Sequence, residues 1–350
     1  MAEKGNQVPS SGDTVGVILL NLGGPDSLRA IRPFLYNLFS DRQIIQLGPP
    51  FMQKPLARLI SAIRSKKTEK MYRLIGGKSP IADITKAQAK ALEELLNRQQ
   101  PHSELPVGEK QEGIGSFKVY VGMRYWHPFI EDVFPEINKD GIRRLVALSL
   151  YPQYSVATSG SSLSKFKEVA AGYKMEAFCV SSWHNHPLYV EALADVIKKG
   201  MESFSSGDVH VLFSAHSLPQ KIIDQGDPYV DQTIETINEI TKRLHIQWHL
   251  SYQSKSGPVK WLEPSTGEKL EELARNGLKN VLVVPISFVS DHIETLYEID
   301  ILYKNLAEKL GIRLKRTDSL NTHPKFIDAL KDIVEKNLKE TGQDKFVSLQ

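Results

Sequence analysis

The sequence predicts an α/β protein built as two doubly wound domains, each around a four-stranded parallel sheet. Three observations lead there. The 350 residues fit about two domains of ordinary size. Eight short runs rich in Val, Ile, Leu and Tyr recur along the chain, separated by longer segments whose apolar residues fall three and four apart. That alternation is the pattern of βαβ units, whose crossover helices cover both faces of a parallel sheet.

In chain order, residues 15–23, 117–125, 144–154 and 175–183 are expected to form the first sheet. Residues 208–216, 246–254, 280–289 and 312–321 are expected to form the second. Near-continuous apolarity over residues 15–20, 145–150 and 281–286 suits strands covered on both sides. Residues 84–96, 189–204, 231–244 and 326–338 carry the helical apolar spacing and supply covering helices. Residues 99–116, dense in Pro, Glu, Gly and Gln, read as a surface insertion, and the boundary between halves is expected near residues 184–187. The first domain is thus 14–185 and the second 186–322. No fixed-period repeat occurs, which excludes solenoids.

Composition narrows the function. The hydrophobic share is 41% and the charged share 24%, enough apolar surface for a real core in each half. Cys179 is the only cysteine, which rules out an internal disulfide and a Cys-built zinc or iron-sulfur site held by one chain. Residues 1–13 lack the apolar stretch of a secretory signal, and no run approaches the roughly 18 apolar residues of a membrane span. A cytoplasmic protein is expected. A net charge of +3, with no helix-turn-helix, zinc-finger or RNP pattern, argues against nucleic acid as a partner.

In open α/β sheets ligands sit beyond the carboxyl ends of the strands, so residues there are read first. Residues 214–219, Ser-Ala-His-Ser-Leu-Pro, place His216 where a strand gives way to a helix. Ser217 and Gln220 have the spacing of a capping box. A histidine there bonds a backbone carbonyl in most proteins, but at a strand end it also suits a general base or a metal ligand. Residues 290–300, Ser-Asp-His-Ile-Glu-Thr-Leu-Tyr-Glu-Ile-Asp, follow another strand. Asp291 and Glu294 fit an ordinary N-cap with a reciprocating acid. Glu298 is harder to dismiss, because Glu294 and Glu298 would lie on one helical face where like charges repel, so something cationic should compensate. Carboxylates beside histidine form a hard, oxygen-rich set suited to Fe(II) or Mg(II) in transit.

Two further segments have even claims. Residues 122–128, with Arg124 and Tyr125, read either as a site or as an ion pair among core aromatics. Residues 49–70 turn from apolar to strongly basic, as in a solvated helix or in a lip that touches a membrane surface and clamps acidic groups. No Walker loop, dinucleotide fingerprint or nucleophile elbow is present.

Taken together, these strand-end segments resemble the ferrochelatase family over nearly the whole chain. The resemblance runs from Leu20-Asn21-Leu22-Gly23-Gly24-Pro25 to Ser319-Leu320-Asn321-Thr322-His323-Pro324 and is carried most specifically by residues 214–219 and 290–300. Residues 75–80 and 151–155, and the tract from Tyr252 to Trp261, add to it. It implies two flavodoxin-like (Rossmann-like) domains with a porphyrin cleft between them, a lip over residues 45–80, and a C-terminal helix, 323–342, that returns to the first domain. It implies insertion of ferrous iron into a porphyrin, protoporphyrin rather than coproporphyrin, with haem as product. A chelatase for another metal or tetrapyrrole and a non-catalytic haem or porphyrin carrier are the alternatives.

By the same resemblance His216 and Glu294 are catalytic, and His216, Asp291, His292, Glu294 and Glu298 handle the metal. Leu22, Arg124, Tyr125, Tyr151, Trp261 and Phe288 line the macrocycle or the metal route, and Arg64, Lys67 and Ser79 contact porphyrin propionates. Leu302 stands where relatives often extend the carboxylate row with another acid. No permanently bound cofactor and no iron-sulfur cluster are expected, iron being a substrate. The imidazole and the acidic band are expected on opposite faces of a slot. The protein is expected as a monomer or homodimer with peripheral contact to the inner face of the cytoplasmic membrane.

Overall fold

The computed structural model describes residues 14–98, 115–205, 207–255, 257 and 259–340. Most of the expected insertion at residues 99–116 therefore lies outside the described residues, as do residues 341 and 342 of the C-terminal helix. All eight expected strands form: β1 (Thr14–Asn21), β2 (Ser116–Met123), β3 (Arg144–Ser149), β4 (Glu176–Val180), β5 (Val209–His216), β6 (Trp248–Gln253), β7 (Asn280–Val284) and β8 (Arg313–Arg316). They make two parallel sheets with orders β2-β1-β3-β4 and β6-β5-β7-β8. Several observed strands stop earlier than expected, because the residues beyond them leave the ladder to build the loops described below.

The helices are α1 (Ile31–Ser40), α2 (Gln53–Leu74), α3 (Ile81–Leu96), α4 (Ile130–Lys139), α5 (Ser161–Ala170), α6 (Pro187–Glu202), α7 (Gln220–Asp224), α8 (Tyr229–Thr241), α9 (Thr266–Arg275), α10 (Lys304–Lys309) and α11 (Pro324–Glu340). Both α6 and α11 begin with proline, whose missing N–H costs nothing in a first turn. A capping box between Ser265 and Glu268 starts α9. The capping box expected at Ser217 and Gln220 does not form. Pro219, extended and paired with Trp261, precedes α7, and buried Ser217 donates its hydroxyl to the Leu262 carbonyl instead.

Apolar residues explain the layering. One continuous buried cluster joins one face of each sheet through α3, α6, α8 and α11, with Trp183, Tyr189 and Phe326 in ring contact near its middle. α4 and α5 cover the outer face of the first sheet, and α9 and α10 that of the second. α1 and α2 form a separate apolar unit with Tyr125 beside the first sheet. α11 packs on both α6 and α3.

Candidate active site

In each sheet the connections leave the central pair in opposite directions, so the carboxyl ends of β1 and β3, and of β5 and β7, bound a topological switch point where such folds bind ligands. Here the two crevices share one cavity with an empty space of about 1050 Å³. Asn21, Leu22, Leu150 and Tyr151 line it from the first sheet, His216 and residues 287–290 from the second, with Leu38, Ile44 and Trp261 closing its sides. Its wall is largely apolar with a few convergent polar groups, as in small-molecule sites.

The polar groups gather on the second-sheet side. The His216 N–H donates to Ser287 Oγ at 2.8 Å, and its carbonyl accepts from the Tyr229 hydroxyl at 3.0 Å. The ring is therefore held from both sides of its own backbone. His216 Nδ1 lies 2.8 Å from Glu294 Oε2. With Nδ1 carrying the proton toward the carboxylate, Nε2 keeps its lone pair and has no protein partner among the described residues. Burial pushes the imidazole toward neutrality, but the charge and hydrogen bond of Glu294 and the charge of Glu298 outweigh it and raise the His216 pKa above 6.5. The same pairing, with His292 nearby, overcomes burial and holds Glu294 well below the ordinary carboxylate range.

His292 is buried, with Nδ1 3.0 Å from the Ser290 carbonyl and Nε2 3.7 Å from Glu294 Oε2. Phe288 lies edge-on to both His216 and His292. From Glu294 to Tyr303 the chain is wound as a π-helix, a rare form that recurs at functional sites. Glu298 Oε2 accepts from Ser254 Oγ at 2.6 Å and from Gln253 Nε2 at 3.2 Å. Burial and the neighbouring Glu294 charge raise its pKa to about 7. The repulsion anticipated between the two acids is thus relieved by His216 on Glu294, and it shows in the raised pKa of Glu298.

Three expectations need correction. The imidazole and the acid do not face each other across a slot, since a 2.8 Å contact leaves no room for a ring between them. They form one dyad on one wall, and the opposite wall is Leu22, Leu150 and Tyr151. Burial and the Glu294 charge push the Tyr151 pKa up, so it stays a hydroxyl.

The second correction concerns the cap at Asp291 and Glu294. The Asp291 N–H goes to Asn321 Oδ1, and the Asp291 carboxylate is occupied by Ser319, Asn321, Thr295 and Arg316, the last at 3.0 Å. Four donors fill it, and it does not line the cavity.

The third concerns Arg124 and Tyr125, which are not among the residues lining this cavity. Arg124 Nη2 and the Tyr125 hydroxyl each donate to Asp41 Oδ2 at 2.7 Å, and Ser161 donates at 2.6 Å. Tyr125 is 2% exposed. The ion pair among aromatics, one of the two readings of this segment, is present.

Leu22, Tyr151, Trp261, Phe288, His216, His292 and Glu294 do meet at the cavity. Arg64 and Lys67 lie exposed on α2, Arg64 over the Phe39 ring. Ser79 is buried against Gly24, where an added Cβ would approach Ser79 Oγ to 2.5 Å, so only glycine lets these segments pack. Among the described residues no group of three or more His, Cys, Asp or Glu side chains is gathered as a metal cage.

Sequence reasoning missed Asp41 and Gln88. Burial alone would raise the Asp41 pKa, but the Ser161 and Tyr125 hydroxyls, the Gln43 N–H and the Arg124 charge hold it low. Replacing it by alanine leaves Arg124 and Tyr125 unpaired beside the segment that carries Ile44. Loss of about 3 kcal/mol in a denaturant titration is expected for Asp41→Ala, as for other broken buried pairs. Unchanged stability would show the network to be idle. Gln88 left a readable sign: it is a polar residue in the inward stripe of a helix, between Thr85 and Leu92.

An α/β protein with two parallel sheets and an imidazole–carboxylate dyad in an apolar cavity between paired switch points has the layout of an enzyme that performs acid–base chemistry on a largely apolar small molecule. Comparison with known proteins makes this specific. The family model for ferrochelatase matches residues 14–338. A ferrochelatase from Geotalea uraniireducens is 49% identical over 331 residues, covering 93% of this chain and 98% of that protein. One from Gloeothece citriformis is 48% identical over 338 residues, covering 94% and 84%. Among solved structures, SirB from Bacillus subtilis with Fe3+ superposes with a TM-score of 0.55 at 12% identity, covering 95% of this chain and 99% of that one. That likeness bears on fold alone. The chain belongs to the ferrochelatase family, and its activity is the insertion of iron into a porphyrin, the haem-forming lyase reaction.

Proposed function

We propose that the porphyrin is protoporphyrin and that the His216–Glu294 dyad carries the chemistry. The 2.8 Å contact between the two, with His216 Nε2 left free beside an apolar cavity, is the observation that supports this most directly. Insertion removes two pyrrole protons and places Fe(II) in the vacated ring. His216 Nε2 takes a pyrrole proton, and Glu294 stabilises the imidazolium that results, as the acid does in a hydrolase triad. Glu298, whose pKa of about 7 lets it both accept and release protons near neutrality, passes protons on from the dyad. Glu294 and the Nε2 of His292 offer one hard oxygen and one borderline nitrogen to iron on the same wall, a set suited to a ferrous ion in passage. Asp291, filled by its own donors, takes no part in this reading.

Apolar walls favour protoporphyrin. Its two propionates leave the rest of the macrocycle apolar, whereas coproporphyrin carries four and would bring acids against Leu22, Leu150 and Ile44. Anaerobic incubation with Fe(II) and each porphyrin tests it: the free-base spectrum of protoporphyrin should convert faster. Faster conversion of coproporphyrin would reverse the assignment. No resident cofactor enters this scheme, and Cys179, one half-buried thiol, cannot by itself hold an iron-sulfur cluster.

The lip also supports a peripheral contact with the cytoplasmic face of a membrane. Phe51 is 78% and Ile63 67% exposed, and Leu59 and Leu74 are exposed on the same helix among Lys66, Lys67, Lys70 and Arg73. No described helix is long and apolar enough to cross a membrane. Co-flotation with anionic vesicles is expected for the wild type and should drop several-fold in Arg64→Gln/Lys67→Gln. Equal recovery of both in the vesicle-free fraction removes the contact.

A further inference from the structure

Gln88 sits on α3, 0% exposed, and belongs by sequence to the first half of the chain. Its amide nitrogen donates to Ser290 Oγ at 2.9 Å and to the Asn321 carbonyl at 2.8 Å, both in loops of the second sheet. One side chain thus uses both of its hydrogens on partners 202 and 233 residues away. We infer that Gln88 is a positioning residue acting across the junction of the two sheets, holding the turn at Ser290 so that His292 and Glu294 stay aimed at His216.

The connection can be followed atom by atom. The Ser290 hydroxyl is gripped by Gln88, and the Ser290 carbonyl takes the Nδ1–H of His292. That bond fixes the His292 tautomer and points Nε2 toward Glu294, whose carboxylate in turn orients His216. The second hydrogen of Gln88 secures Asn321. Asn321 receives the Asp291 N–H on Oδ1, donates to Asp291 Oδ2 at 2.9 Å, and bonds the Val289 carbonyl through its own N–H. Gln88 therefore braces residues 289–292 on two sides. The chain between β7 and the π-helix belongs to neither ladder nor helix, so bonds from outside it, those of Gln88 and Asn321 among them, set its path.

α3 supplies the rigid reference. Three residues before Gln88, Thr85 accepts from the Asn21 side chain at 3.0 Å, and Asn21 ends β1 on the opposite side of the cavity. Residues three apart share a helix face. The spacing from Thr85 to Gln88 thus ties the first-sheet edge of the cavity to the loop bearing the dyad's acid. Burial of an amide whose Oε1 has no partner among the described residues is unfavourable for folding, which fits a group retained for position.

This inference rests on the dyad being catalytic, and the test separates the two. Steady-state insertion of Zn(II) into protoporphyrin is measured for the whole chain as wild type, Gln88→Leu, Ser290→Ala, the double variant and Glu294→Gln, with thermal melts alongside. Gln88→Leu should lose about tenfold in kcat while the porphyrin KM stays within twofold. Ser290→Ala should lose less, because Asn321 remains held, and the double variant should be no slower than Gln88→Leu alone. A folded Gln88→Leu with kcat within twofold of wild type, a loss confined to porphyrin KM, or multiplicative losses in the double variant overturns the assignment. Should Gln88→Leu not fold, Ser290→Ala decides: undiminished kcat there also overturns it. If Glu294→Gln is slow while Gln88→Leu is not, the positioning role alone fails. If Glu294→Gln turns over normally, the dyad fails and this role with it.

Discussion

His216→Ala should abolish most of the turnover while leaving porphyrin binding nearly intact. General-base groups contribute on the order of 10²–10⁴ in rate, and among the polar groups lining the cavity His216 has a ring nitrogen lone pair that neither backbone nor side chain of the described residues occupies. Affinity comes from elsewhere: the wall formed by Leu22, Leu38, Ile44 and Leu150 is untouched by the substitution. Porphyrin fluorescence quenching should therefore give a dissociation constant within a few-fold of wild type, while anaerobic insertion of Fe(II) falls by at least a hundredfold. Added imidazole should restore part of the rate by entering the space vacated. Near-normal insertion by His216→Ala would end the assignment of the base.

Glu294→Gln is the second large effect, and its sign is set by the pKa shifts. The amide can still accept from His216 Nδ1, so the ring's orientation survives, but the charge that raises the His216 pKa is gone. Burial then dominates, and the histidine pKa falls below its wild-type value. Because His216 acts as the neutral base, wild-type turnover rises as pH increases through a value above 6.5, and in Glu294→Gln that acidic limb moves to lower pH. The plateau above it should drop by about 10² because nothing compensates the imidazolium once formed.

Stability should change in a related way. The raised His216 pKa contributes stability that is fully present below its unfolded value and is lost as pH rises through its folded value. The depressed Glu294 pKa contributes stability present above its unfolded value and lost as pH falls through its folded value. The pair is therefore worth most between the two unfolded values, and Glu294→Gln should flatten unfolding midpoints across that window. A profile that keeps the wild-type acidic limb in Glu294→Gln would show that the two groups are not electrostatically linked.

The strands were legible because parallel strands buried on both faces must be apolar along their length, as residues 15–20 and 281–286 are. Four of the helices were legible for the same kind of reason, each burying one stripe. Local chemistry misled where tertiary partners outbid it. Ser217 and Asp291 have the right spacing for caps, yet Leu262 claims the first, and Arg316, Ser319 and Asn321 claim the second. Arg124 and Tyr125 sit at a strand end, where ligands bind, but Asp41 from a distant loop takes a hydrogen bond from each, and neither lines the cavity.

What the amino-acid order determines by itself is the list of reactive groups and the strand ends that carry them: His216 after β5, Glu294 and His292 after β7, Leu22 after β1, Tyr151 after β3. Those placements follow from periodicity, a local property. Only the folded chain decides that imidazole and carboxylate touch on one wall, that Glu298 shares a proton problem with Glu294, and that an amide on α3 steadies the loop between them. These depend on distances between residues tens to hundreds apart in sequence, which packing of the two sheets sets and no local pattern encodes.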